Sequence, residues 1–218
     1  MKAPRAQRIA LTTAAVLLLA GCGGDGDDEG SAALPEGCAE VEAPEPKPAE
    51  AERRTEPPPA GARAVVETSC GEFVIALDSE RAPRTTASFA GLAEQGFYDD
   101  TTFHRIAPGF VIQGGDPLGD GNGGPGYSVD EPPPQDFAYL RGTVAMAKTE
   151  VEPPGRSGSQ FFVVTAPADA GLPPDFALLG EVSEGFDVIE RIEQLGEDGG
   201  DGPPTAPVVI ESVTVSGG

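Results

Sequence analysis

The chemistry open to this 218-residue chain is narrowed by what surrounds its single histidine. His104 is followed by Arg105, and soon after come Phe110, Val111, Gln113 and a glycine-dense run from Gly114 to Gly126. A Ser/His/Asp or Cys/His hydrolase needs an imidazole free to take a proton, and no second one exists to build on. There is no HExxH helix, no paired cysteine ligands, no GxSxG turn and no lysine-bearing glycine loop. The glycine-dense run holds Asp116 and Asp120 but no Lys, so a phosphate would find no cation there. No metal and no cofactor are expected. A guanidinium set among side-chain amides and apolar residues is also present, and such a set can act by hydrogen bonding and electrostatics.

The residues that could do this come in four blocks. Phe103-His104-Arg105-Ile106 leads into Pro108-Gly109-Phe110-Val111-Ile112-Gln113-Gly114-Gly115-Asp116. Gly142-Thr143-Val144-Ala145-Met146-Ala147 follows, then Ser157-Gly158-Ser159-Gln160-Phe161-Phe162. The last is Leu172-Pro173-Pro174-Asp175-Phe176-Ala177-Leu178-Leu179-Gly180-Glu181-Val182. In order and spacing these blocks resemble the cyclophilin family over residues 64–215. The resemblance implies a mainly β fold: a closed eight-stranded antiparallel barrel capped by two α-helices, with a shallow apolar groove outside that binds an X-Pro segment. It implies peptidyl-prolyl cis-trans isomerase activity, with Arg105 as the catalytic arginine and Gln113 and Phe110 beside it. Val111, Phe162 and Leu172 complete the proline pocket with Phe110, and Gln160, Ala147 and Lys148 flank the peptide, with Phe176 also in the groove. Phe103 and Phe161, of opposite parity to Phe110 and Phe162, are expected in the barrel interior, and His104 in a structural role.

These residue types suit the reaction. Rotation about an X-Pro bond faces a barrier near 18–20 kcal/mol because the C–N bond has partial double-bond character. In the twisted transition state the proline nitrogen regains a localised lone pair. A guanidinium donating to it favours the twisted form over the planar one, and only such a difference accelerates a reaction. An alternative is a non-catalytic module that docks proline-containing segments of envelope partners. The chain also departs from the family: it has no Trp, and Gly171 stands where many members carry one at the pocket rim. Phe176 replaces a residue often polar, Lys148 one often Asn or Arg, and the loop between Met146 and Ser159 is longer than usual. Substrate preference rests on these positions.

The elements that must carry the blocks can be read independently. Short apolar runs between turn-rich connections predict eight strands: 62–67, 72–77, 102–106, 110–114, 142–147, 160–165, 177–182 and 208–215. A first helix is predicted from Pro83, a residue suited to an opening turn, until Gly96. It places Phe89, Leu92 and Ala93 on one face. A second, between Gly185 and Gly196, carries an apolar stripe of Val188, Ile189, Ile192 and Leu195.

The first residues have a different character. Lys2, Arg5 and Arg8 precede an apolar run from Ile9 to Ala20, broken only by Thr12 and Thr13, too short for a membrane span of roughly 20 residues and typical of a secretory signal, expected at residues 1–21. Leu19-Ala20-Gly21-Cys22 resembles a bacterial lipobox, which predicts a lipid on Cys22 and a protein held on the outer face of the cell membrane. Residues 22–61, rich in Gly, Pro, Ala, Asp and Glu, predict a disordered acidic spacer, and residues 62–218 the folded domain. Cys38 and Cys70 then remain as an even pair, open to a disulfide or to two free thiols. Residues 1–21 hold three of the 14 Lys and Arg and none of the 36 Asp and Glu, so their loss takes the net charge from −22 to −25. A surface so negative repels nucleic acid and anionic headgroups, leaving proline-containing polypeptides and, through the lipid, the bilayer as partners of an expected monomer.

Overall fold

The computed structural model describes residues 34–217; the expected signal segment at residues 1–21, Cys22 and the rest of the expected spacer up to residue 33 lie outside the described residues. Among them the order of elements is β1 (Arg63–Thr68), β2 (Gly71–Leu77), α1 (Pro83–Glu94), β3 (Thr101–Ala107), β4 (Val111–Asp116), β5 (Val129–Asp130), β6 (Thr143–Met146), β7 (Arg156–Ser157), β8 (Phe161–Val164), β9 (Leu178–Glu184), α2 (Phe186–Glu193) and β10 (Val209–Ser216). Eight of the strands close into an antiparallel barrel in the order β1-β10-β3-β4-β8-β6-β9-β2. Each expected strand and both helices are present. The two-residue ribbon β5–β7 was not expected, because elements so short carry no alternation to read.

Alternation along the barrel strands sorts side chains into two apolar sets. Phe73, Ile75, Phe103, Ile112, Val144, Met146, Phe161, Val163 and Leu179 fill the interior, and the apolar faces of α1 and α2 close its ends. Ala107, Val111, Ala145, Phe162 and Val164 form a separate cluster outside the barrel wall. Phe103 and Phe161 are therefore interior and Phe162 is not.

Helix α1 has Pro83 in its first turn and Ala82, which cannot cap, before it. Its open amides are satisfied from a distance. The carboxylate of Glu131, beside β5, accepts from Arg84 N at 3.2 Å, and from Thr85 N and Thr85 Oγ1 at 2.7 Å each. Helix α2 starts at Gly185, in the left-handed region at φ 76°, where a Cβ would lie 2.4 Å from the Glu72 carbonyl oxygen. Val188, Ile189 and Ile192 are its buried stripe.

Residues 34–61 correct the expectation of a disordered spacer. They have no regular secondary structure, yet they run as an ordered strap over the domain. A disulfide joins Cys38 to Cys70, and Ala39 N donates to Ser69 O at 2.7 Å. Further along, Lys47 N donates to Pro117 O at 2.9 Å and Ala51 N to Pro125 O at 3.1 Å, while Arg54 pairs with Glu94 on α1. Leu34, Cys38, Ala49 and Ala51 pack on the barrel core. Composition indicated too little apolar area for the strap to fold alone. It does not fold alone: the barrel supplies the surface and partners that offset its ordering entropy.

Candidate functional site

Strand β3 presents Arg105 outward because of an irregularity in its ladder. Phe103 pairs with Gly114 and Arg105 with Gln113, so His104 has no opposite residue on β4. Strict alternation would put residues 103 and 105 on one face. The bulge at His104 sends Phe103 inward and Arg105 to the outer face beside Gln113. His104 itself is largely buried with neither ring nitrogen hydrogen-bonded. Burial, partly countered by Asp116, holds its pKa below the usual histidine value. This fits its expected structural role.

From Arg105 a line of side-chain amides crosses the barrel wall. Arg105 Nη1 donates to Gln113 Oε1 at 3.0 Å, and Gln113 Nε2 donates to Gln160 Oε1 at 3.0 Å. Gln160 Nε2 ends the line on the carbonyls of Gly121 and Gly123, at 3.0 and 2.9 Å. The glycine-dense loop that offers those carbonyls is gathered around the buried carboxylate of Asp116. This accepts from Leu118 N, Asp120 N and Gly121 N at 2.9, 3.2 and 2.6 Å. The loop's acidic residue thus organises backbone, which explains an Asp among glycines. With every amide's oxygen and nitrogen assigned a partner, the three side chains hold one arrangement.

Beside this line lies the apolar cluster. Phe162 pairs with Gln113 on one side and Ala145 on the other, and with Val111 it makes a buried floor. Phe110, Leu172, Phe176 and Ala147 are half-buried around it. The Phe162 and Phe176 rings meet edge to face, centroids 5.4 Å apart. Ala147 N donates to Gln160 O at 2.8 Å, tying the rim of the patch to the amide line. Lys148 sits with Nζ 5.5 Å above the Phe176 ring and donates to the carbonyls of Thr149 and Glu152, both at 3.1 Å. The long loop is therefore folded back on its own lysine. An open cavity of about 560 Å³ adjoins the amides, lined by Gln113, Gln160, Ala147, Lys148, Asn122 and Thr149 among others. Gly171 stands at the edge with open space where a side chain would be.

All the groove residues expected from sequence fall in this one region. Sequence reasoning missed two. Tyr139 is fully buried beneath the patch; its hydroxyl donates to Phe176 O at 2.6 Å and accepts from Phe176 N at 3.0 Å, fixing that residue's backbone. Burial is the main reason its pKa is raised to about 12. Asp201 meets Arg105: Arg105 Nε donates to Oδ1 at 2.6 Å and Nη2 to Oδ2 at 2.8 Å. The hydrogen bonds from Arg105 hold the Asp201 carboxyl below the usual carboxylate range. Neither residue lies in a recognisable block, and Asp201 stands 96 residues from its partner.

A cation with two fixed partners, amides in line and an apolar floor can grip a small ring and donate hydrogen bonds to a neighbouring amide. Residues 63–215 match the family model described as cyclophilin type peptidyl-prolyl cis-trans isomerase/CLD. Peptidyl-prolyl cis-trans isomerase A of Mycobacterium tuberculosis is 42% identical over 183 residues, spanning 74% of this chain and 96% of that protein. The probable peptidyl-prolyl cis-trans isomerase A of Mycobacterium leprae is 39% identical over 176 residues, spanning 71% and 92%. A solved cyclophilin type isomerase of Cryptosporidium parvum, its crystal structure determined in the presence of the dipeptide Ala-Pro, superposes with a TM-score of 0.64 at 28% identity. That superposition covers 72% of this chain and 99% of its counterpart.

Proposed function

Because this chain belongs to the cyclophilin-type peptidyl-prolyl cis-trans isomerase family, we propose that Arg105 drives X-Pro rotation in extracytoplasmic proteins, from a lipid anchor at Cys22. The observation that carries the mechanism is the seat of Arg105. It is held at the edge of the Phe162 floor by Gln113 and Asp201, and it keeps N–H groups to spare. The proline ring packs on Phe162 and Val111 between Phe110, Leu172 and Phe176. Gln113 and the Gln160–Ala147 rim hold the chain on one side of the bond. Arg105 then donates to the proline nitrogen as the amide twists and its lone pair localises. The guanidinium stays protonated throughout, so no proton moves. Its interaction is stronger with the twisted amide than with the planar one, which lowers the barrier.

Arg105→Ala is expected to slow isomerisation of a proline-containing peptide about a hundredfold, the usual cost of removing one such donor, with circular dichroism and melting temperature retained. Exchange spectroscopy reads this directly, and equal rates for variant and wild type would refute the mechanism. A non-catalytic docking module would leave the cis/trans exchange rate as it is in water. Anchoring is read separately. The basic start, the apolar run and the Leu19-Ala20-Gly21-Cys22 segment support it, and Cys22→Ser is expected to move the protein from the membrane to the soluble fraction. Retention of the variant on the membrane would end the lipid proposal.

A further inference from the structure

We infer that Asp201 is a positioning residue for the isomerase site, a carboxylate clamp that sets which edge of the Arg105 guanidinium faces the peptide. The inference rests on the catalytic reading of Arg105 and adds a residue to it. A guanidinium has five N–H donors in a rigid fork. Asp201 takes two of them, at Nε and Nη2, and Gln113 takes one at Nη1. One N–H on each terminal nitrogen is left for substrate. Without the carboxylate, Arg105 would be held by the single bond to Gln113 and could turn about its long side chain.

The clamp is presented by backbone, not by chance proximity of two surface side chains. Asp201 lies on the connection from α2 to β10, and its neighbour Gly202 forms a two-way bridge with Ile106, the residue after Arg105. Ile106 N donates to Gly202 O at 2.7 Å, and Gly202 N to Ile106 O at 3.3 Å. Thr205 secures the same connection through its N–H and hydroxyl, both bonded to Leu195 O at 2.7 and 3.1 Å. Carboxylate and guanidinium thus sit on adjacent, mutually bonded segments. The bidentate contact separates this pair from the many exposed ion pairs that contribute little. Asp201 is nevertheless 57% exposed and Arg105 33%, so solvent screens the pair and the expected effect is a few-fold.

The test uses the full chain in four forms: wild type, Asp201→Ala, Asp201→Glu and Arg105→Ala. For Asp201→Ala, kcat on a proline peptide is expected to fall about three- to fivefold with KM unchanged, a size matched to a solvent-screened pair. Asp201→Glu is expected to recover most of the loss. The Nε–Hε resonance of Arg105, sheltered by the carboxylate in the wild type, is expected to exchange rapidly with water in the alanine variant and slowly again in the glutamate one. A loss confined to melting temperature, a loss in KM alone, or an unchanged Nε–Hε signal would overturn the clamp. If Asp201→Ala turns over like the wild type while Arg105→Ala does not, the clamp falls alone. If Arg105→Ala also matches the wild type, the catalytic reading and the clamp fall together.

Discussion

Opening the Cys38–Cys70 bond is the perturbation whose size follows most directly from the structure. The bond links residues 32 apart in sequence, spanning the strap and β1. Cross-linking a loop of that length removes about 12 cal/mol/K of entropy from the unfolded chain, or about 3.7 kcal/mol at 25 °C. A folded unit of this size shifts in melting temperature by about 2–4 °C per kcal/mol, so the double variant Cys38→Ser/Cys70→Ser is expected to melt roughly 7–15 °C lower. Calorimetry on the oxidised wild type and the variant measures this. Amide exchange supplies a local reading: Lys47 N and Ala51 N, bonded to Pro117 O and Pro125 O, should lose protection. The loss should reach Gly121 N, because the strap backs the loop whose Gly121 and Gly123 carbonyls hold Gln160. A melting temperature changed by less than about 2 °C, with strap amides still protected, would show that the strap docks without its covalent pin and that the loop-entropy reasoning fails here.

Other outcomes follow from named contacts. Tyr139 has its pKa raised to about 12 and Tyr98 is pushed well above the ordinary value, both chiefly by burial. Their protonated forms therefore contribute stability that is complete below pH 10 and is lost as pH rises through the folded values. Ultraviolet titration of the native chain should find these two phenols silent at pH 10, and ionisation of both at their ordinary value in the folded protein would contradict their placement. Tyr139→Phe leaves Phe176 N and O unpaired and is expected to lower stability by about 1–3 kcal/mol in denaturant melts. Glu131→Ala removes the acceptor for Arg84 N, Thr85 N and Thr85 Oγ1. It is expected to cost about 2 kcal/mol, and a denaturation midpoint equal to the wild type's would mean α1 is capped by something else.

What the sequence alone determined was the set of elements and the content of the groove. Strand and helix limits follow from alternation, from Pro83 and from the flanking glycines, all of them local signals. The types that line the site, Arg105, Gln113, Gln160, Phe110, Val111, Phe162, Leu172 and Phe176, stand in contiguous blocks whose spacing carries the family resemblance. Tertiary structure decided three things that no local pattern encodes. Arg105 faces outward although Phe103, two residues before, faces inward, because register across β3 and β4 leaves His104 unpaired. Residues 34–61 are ordered although their composition suits disorder, because partners on the barrel and on Cys70 supply what the segment lacks. Asp201, Tyr139 and Glu131 act on groups between 37 and 96 residues away, and a carboxylate's or hydroxyl's partner at that distance is chosen by how the chain closes on itself. The sequence states which groups are available; closure of the barrel determines which of them meet.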